Sequence, residues 1–355
     1  AHLTALPEKT IRDSRGSLDY LISGEGEIVI LNIADSLGDK ARLRKLNGVA
    51  YIDERGTFFI NQREGLIENL DDIGPLAIEL VKDIPYTSEP TYGGSTHGRK
   101  YADLILSRGC PLNCGFCFTP QMWKRVFRKH SVEWISETLD RYIDAGFSHF
   151  LIQDDNFSRG GDWTYSVMSL FKEKGVTWEN NGGLEMEDLN SDIVNDMADT
   201  NCTTLFIPLN IRTEKTDEIP KESSRHYRDV LTAAKRRGLY IYSSHIMGFP
   251  EQTLEGMQRQ AEFAKGLVDE GLSDFHVVYG YSVLPGTKRF HQVMEPTENG
   301  EYQVKAEAGM HFHGGWQNWP LYSINSPQID SLNFSYEELR TAYYEAIRFI
   351  NGEKA

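Results

Sequence analysis

The chain reads as an α/β fold built on six parallel strands. From residue 101 to 281, short β-branched and aromatic runs alternate with amphipathic helical stretches, the pattern of successive βα units. Most of these runs close on polar or glycine-rich residues, the kind of loop that collects chemistry beyond the C-terminal ends of parallel strands. The third observation is local: Cys110-Pro-Leu-Asn-Cys114-Gly-Phe-Cys117 gathers three of the four cysteines into one loop, directly after the first run.

Residues 1–95 form the first segment. Apolar runs at 18–22 and 28–30 flank Gly24-Glu25-Gly26-Glu27. Residues 49–52 and 57–60 read as a hairpin across Glu54-Arg55-Gly56, and Leu70-Asp71-Asp72-Ile73-Gly74-Pro75 as a linker. The first strand of the repeating pattern is 101–107, and the cysteine loop follows it. Helix 131–145 opens on Ser131 as N-cap and stops at Gly146. Strand 147–153 ends in Asp154-Asp155-Asn156, and helix 163–174 leads to strand 177–180 with Asn181-Gly182-Gly183 behind it.

Helix 190–199, strand 204–209, helix 224–237 and strand 239–247 continue the alternation. Helix 253–270, with Thr253 as N-cap, then precedes strand 274–281. Residues 286–334 are irregular and aromatic, including His311-Phe-His313-Gly-Gly-Trp316-Gln-Asn-Trp319, a segment equally suited to walling a substrate or to packing. Helix 336–351 repeats Leu339, Tyr343, Ala346, Ile347 and Ile350 at core spacing. The expected organisation is a 1–95 N-terminal segment, a 96–290 catalytic barrel and a 291–355 cap.

At 355 residues the length suits one large barrel or a barrel with an appendage. Lys and Arg total 37 against 52 Asp and Glu, a formal charge of -15, which argues against a broad footprint for nucleic acid or an anionic membrane. No apolar run reaches the length of a membrane span and no signal-peptide pattern opens the chain. A cytoplasmic setting is expected, where thiolates stay reduced. The first residue is Ala rather than Met, as in a chain that begins partway through a longer product or has been processed.

Three thiolates at C-x3-C-x2-C can hold three irons of a cubane 4Fe-4S cluster and leave one corner without a protein ligand. A structural zinc site brings four ligands, and the remaining cysteine, Cys202, is far away in sequence and reads as a buried small hydrophobe. With aromatic Phe116 before the last cysteine, the motif resembles the signature of the radical S-adenosylmethionine (radical SAM) enzymes. That resemblance implies a six-stranded (β/α)6 partial TIM barrel over about 98–290. It also implies metal ligation by Cys110, Cys114 and Cys117, with SAM chelated at the open iron. Reductive cleavage of SAM then yields a 5′-deoxyadenosyl radical that abstracts hydrogen from a small organic substrate.

The same resemblance places the remaining candidates. Phe116 lies in the cofactor loop. One of Asp154 and Asp155 takes the SAM ammonium, since adjacent strand residues point opposite ways. Gly182-Gly183-Leu-Glu185 resembles the family's Gly-Gly-Glu, although it follows the third strand rather than the second. Glu179, Asn180 and Asn181 suit ribose hydroxyls or ordinary turn chemistry. Asn210 stands where relatives carry an acidic residue, and Arg212 suits the methionine carboxylate or plain solvent. Ser244-His245-Ile246-Met247-Gly248-Phe249-Pro250-Glu251 resembles the family's Gly-x-Ile-x-Gly-x-x-Glu element, with Ile246 on the adenine and Gly248 at a tight turn. His245 and Tyr281 are the candidate catalytic side chains, His245 with a structural role as the competing reading.

Residues 1–95 resemble the trailing edge of the cobalamin-binding domain found upstream of many radical SAM methyltransferases. The Asp-x-His-x-x-Gly loop that ligates cobalt in many of them does not occur in the sequence, so cobalamin has no residue support within it. The expected activity is C-methylation or another radical transformation in natural-product or cofactor biosynthesis. The alternatives are a cobalamin-independent rearrangement, dehydrogenation or SAM-derived group transfer, and a non-enzymatic iron–sulfur module. The expected partners are the substrate and a reductant such as flavodoxin or ferredoxin, with no nucleic acid and no membrane.

Overall fold

Six strands lie side by side in chain order, every neighbouring pair parallel: β1 (Tyr101–Leu104), β2 (His149–Ile152), β3 (Thr177–Asn180), β4 (Cys202–Pro208), β5 (Tyr240–Met247) and β6 (Phe275–Gly280). The computed structural model describes residues 2–63, 65–87, 98–209, 221–297, 302–312 and 329–352. Each crossover carries one or more helices: α1 (Val132–Asp144), α2 (Asp162–Glu173), α3 (Ser191–Asp199), α4 (Lys221–Arg236) and α5 (Leu254–Asp269), with α6 (Tyr336–Asn351) closing the chain. This is the six-stranded parallel α/β sheet expected from the alternation, and the sheet order of the partial barrel that the resemblance implied, with element ends displaced by a few residues.

Caps fix where the helices begin. Ser131 accepts from Trp134 N–H, Thr253 from Gly256 N–H, and Ser335 forms a capping box with Glu338.

By contacts the chain divides into two compact units, one of Pro75–Arg108, Lys129–Ser282 and Gly309–Ala355, the other of Ala1–Gly74, Gly109–Arg128 and Val283–Ala308. The first holds the six-stranded sheet. Side chains alternate across each strand. Phe150 on β2 and Trp178 on β3, both fully buried, pack on Phe171 of α2, and Tyr142 of α1 packs edge-on to Phe150. That face, covered by helices, is the outer one. His149, Glu179, Phe206, Tyr242 and Ile246 alternate onto the opposite, inner face.

The second unit contains a three-stranded antiparallel sheet of Leu21–Ile22, Val49–Ile52 and Phe58–Ile60. The hairpin turn is closed by Asp53, whose side chain accepts from the N–H groups of Arg55 and Thr57. The apolar run at 28–30 lies inside a helix, Glu27–Ala34, with none of its residues buried. An unbroken apolar run has no period of its own to separate helix from strand. Among the described residues no helix is long and apolar enough to cross a membrane.

Candidate functional site

The cysteine loop belongs to the second unit. Gly109 stands immediately before Cys110 with φ +99°, and a Cβ there would lie 2.0 Å from the Val126 carbonyl oxygen. Only glycine meets both demands. Cys117 N–H donates to Cys114 O at 3.2 Å, the Arg125 side chain donates to Pro111 O, and Arg289 N–H donates to Gly115 O at 2.9 Å. The loop is therefore tied at several points by backbone contacts.

At the end of the same segment Arg128 meets Glu25 at 2.9 Å, with side chains 7% and 6% exposed. Arg128 also donates to Ile67 O, and Ile67 N–H donates to Glu25. This buried pair, invisible in the Gly-Glu-Gly-Glu run, joins residues 103 apart.

Cys110, Cys114, Cys117 and Phe116 are half-buried, and none of the four cysteines is in a disulfide. Among the described residues no three His, Cys, Asp or Glu side chains are already gathered as a metal cage. The loop presents a donor set without closing it. Its chemistry fits an iron–sulfur cluster, which takes cysteine thiolates as its usual ligands. Cys202 does not share that chemistry. It is buried and donates to Thr204 O at 3.5 Å, and burial pushes its thiol far above the ordinary range.

The remaining candidates with described positions lie in the sheet unit. Asp154 is 1% exposed, and both its oxygens take donors from the chain after β1: Leu106 N–H at 2.7 Å and the Ser107 hydroxyl at 2.5 Å. Burial raises its pKa to about 7, against the pull of those two hydrogen bonds. Asp155 is half-buried, so the outward carboxylate of the pair is Asp155. Gly182 presses on this segment, since a Cβ there would stand 2.2 Å from Asp154 O. The resemblance to Gly-Gly-Glu thus has a packing cause.

On β3, Asn181 is half-buried, Asn180 fully buried and Glu179 1% exposed. Asn181 donates to Glu179 Oε1 at 3.4 Å and accepts from the hydroxyl of Tyr242, a partner 61 residues away that no local pattern marks. Tyr242 in turn stacks on Phe206 with centroids 4.8 Å apart. Ile246 is half-exposed on the same inner face.

His245 lies away from the inner-face candidates. It alternates with Ile246 onto the outer face, is 3% exposed, and its Nδ1 lies 2.7 Å from His276 Nε2. Met247, on that same face, borders a cleft of about 730 Å³ between α5 and α6, away from the inner-face residues. Tyr281 is 2% exposed and packs on Phe249 at 4.6 Å, so it too is enclosed. Gly248 has φ +93°, and a Cβ would stand 2.8 Å from Leu339 of α6, which accounts for the glycine at this turn. Asn210, Arg212, His313, Trp316 and Trp319 lie outside the described residues.

A parallel six-stranded sheet and a three-cysteine loop directly after its first strand define the class, and comparison with known proteins agrees. Residues 104–264, which include the cysteine loop and strands β2 to β5, match the family model of the Radical SAM superfamily, a domain that implies an enzyme with a 4Fe-4S cluster and SAM as cofactors.

An uncharacterized methyltransferase of Pyrococcus horikoshii is 25% identical over 353 residues, covering 96% of this chain and 70% of that protein. The cytidylyl-2-hydroxyethylphosphonate methyltransferase of Streptomyces wedmorensis is 25% identical over 300 residues, 75% of this chain and 55% of its own length. Among solved structures, the radical SAM methyltransferase TsrM of Kitasatospora setae, with cobalamin and a 4Fe-4S cluster bound, superposes with a TM-score of 0.58 at 12% identity. That match covers 82% of this chain and 56% of TsrM. The cobalamin-dependent radical enzyme OxsB with aqua-cobalamin and SAM gives 0.57 at 17% identity, covering 86% and 50%. The chain thus spans about half the length of these two solved proteins and of the Streptomyces relative.

Proposed function

We propose that this chain is the SAM-cleaving portion of a radical enzyme that modifies a small organic substrate, with C-methylation as the reaction class. The observation that carries the reading is the Cys110, Cys114, Cys117 loop: three thiols within eight residues, none in a disulfide, held on a backbone that only glycine at 109 permits. The methyltransferase relatives support the reaction class. When bound, the cluster and SAM supply one-electron cleavage of the sulfonium and a 5′-deoxyadenosyl radical able to abstract hydrogen from unactivated carbon.

The chain's own residues have simpler tasks. Cys110, Cys114 and Cys117 would hold the cluster, one thiolate short of a full set of protein ligands, which would leave SAM a place at it. Asp155 offers the outward carboxylate for the ammonium. Ile246 offers an apolar surface to the adenine, and Asn181 a polar one to the ribose. The catalytic portion corresponds to residues 96–290, flanked by the 1–95 and 291–355 segments. Electrons come from a flavodoxin or ferredoxin in the cytoplasm.

The test is anaerobic reconstitution to about four irons per chain, followed by SAM and a reductant. The expected products are 5′-deoxyadenosine and, for methylation, S-adenosylhomocysteine. A cluster spectrum indifferent to SAM, with no 5′-deoxyadenosine formed, overturns the reading. Cobalamin recovered with the native full-length protein supports methyl transfer, and its absence supports cobalamin-independent radical chemistry.

A further inference from the structure

The amide of Asn181 is held in one orientation by two side chains that the reaction outlined above does not use. Glu179, buried beside it on β3, presents Oε1 to Asn181 Nδ2 at 3.4 Å and turns Oε2 toward His149 Nε2 at 3.8 Å. From the other side, the Tyr242 hydroxyl reaches Asn181 Oδ1. A tyrosine hydroxyl can donate or accept, so by itself it would tolerate either flip of the amide. A carboxylate oxygen can only accept. Glu179 therefore requires Nδ2 on its side, which sets Oδ1 toward Tyr242 and makes the hydroxyl the donor. The Tyr242 ring is in turn fixed by its stack on Phe206, 27° from parallel. The Asn181 backbone is pinned by its N–H donating to Ile152 O at 2.9 Å.

An asparagine amide carries two N–H groups and two lone pairs. Glu179 and Tyr242 use one of each, leaving one donor and one acceptor on a half-buried amide at the end of β3. One donor beside one acceptor complements hydroxyl groups, which both donate and accept. We propose that Glu179 and Tyr242 are positioning residues that lock the Asn181 amide as a reader of vicinal hydroxyls on the ligand, those of the SAM ribose. The inference rests on the reading that SAM binds at these strand ends, and adds the device that makes Asn181 selective for a ribose diol.

The test uses the full chain with its cluster reconstituted, and measures the affinity of S-adenosylhomocysteine beside its 2′-deoxy and 3′-deoxy analogues. In the unaltered chain, at least one analogue binds about tenfold more weakly, the cost of a pair of directed polar groups left unmatched. Asn181→Ala abolishes that discrimination. Glu179→Gln, whose amide can face Asn181 either way, reduces it at least threefold, and Tyr242→Phe reduces it as well, without a parallel loss of affinity for the deoxy analogues. A merely structural role would weaken all three ligands alike. Should Glu179→Gln fail to fold, Tyr242→Phe carries the comparison. Discrimination lost in Asn181→Ala but intact in the Glu179 and Tyr242 variants overturns the positioning role. Tight binding of all ligands by every variant, with no preference for the diol, overturns the inference and leaves SAM binding standing. No binding of S-adenosylhomocysteine by the loaded, unaltered chain overturns both.

Discussion

The Ser107 hydroxyl donates to Asp154 across 2.5 Å in a site closed to solvent, joining the chain after β1 to the end of β2. Burial dominates there, and the carboxyl's pKa rises from 3.8 to about 7. A folded pKa above the unfolded one favours the protonated fold. Its contribution is fully present below pH 3.8 and is lost as pH rises through about 7. Asp154→Asn keeps the shape and removes the titration, while Ser107 can reverse its hydroxyl to accept from the new amide. The variant should therefore gain on the parent between pH 5 and pH 8 by roughly 2–3 kcal/mol. Urea unfolding at the two pH values checks this, and parallel stability curves would refute it.

Glu25 and Arg128 form a buried ion pair that ties the cysteine segment to the chain around Ile67. Removing one partner leaves the other charge buried without compensation, at a cost of about 3–5 kcal/mol. Glu25→Ala should lose that much stability and take up less iron on reconstitution. The apolar double replacement Glu25→Leu with Arg128→Met removes both charges together and should recover part of it, the Ile67 N–H and carbonyl having lost their partners. Chemical unfolding of the parent and the two variants separates a charge effect from a packing effect.

The six strands, most helices and two N-caps were legible because each depends on neighbours a few residues away, as Ser131 does on Trp134. The limits follow the same logic. Asp154 answers to Leu106 and Ser107, and Arg128 to Glu25, partners 47 or more residues distant that no local pattern announces. Tyr242 reaches Asn181 across the intervening strand β4, which becomes evident only once the sheet order is known. His245 is different, since a signal was available. It precedes Ile246 on one strand, and strand alternation allows only one of the two to face inward. The buried position of His245 agrees with the structural role that competes with a catalytic one.

The hydrogen bonds around His245 run one way. Ser273 donates to Phe275 O, so Ser243 must donate to Ser273, His276 Nδ1–H to Ser243, and His245 Nδ1–H to His276 Nε2. His276 Nε2, an acceptor, then carries no proton, and burial lowers the His245 pKa from 6.5 to about 4, with His276 also held well below its usual value. For a depressed base the neutral fold is favoured, so stability is full above pH 6.5 and is lost as pH falls toward 4. This slope is opposite in sign to that of Asp154. His245 alone accounts for about 3 kcal/mol across the window. His245→Phe should show a shallower acid limb, by up to about 1.4 kcal/mol per pH unit, in thermal melts between pH 4 and 7. An unchanged slope would place the proton uptake elsewhere.

Cys202 differs from the three loop cysteines in one property that labelling can read. Its thiol is 6% exposed, donates to Thr204 O, and is raised by burial so that little thiolate forms at any working pH. Cys110, Cys114 and Cys117 are half-buried. Iodoacetamide added at pH 8 to the reduced, iron-free chain should modify the three loop thiols within minutes and Cys202 only after denaturation. With the cluster in place the loop thiols should be protected as a group, because all three are then ligands. Cys114→Ala should abolish iron retention, whereas Cys202→Ala should retain the cluster and cost about 1 kcal/mol for the lost sulfur contacts. Mass spectrometry of the labelled chain counts the modified sites directly. Early labelling of Cys202, or iron loss in Cys202→Ala, would contradict its assignment to the core and reopen the choice of cluster ligands.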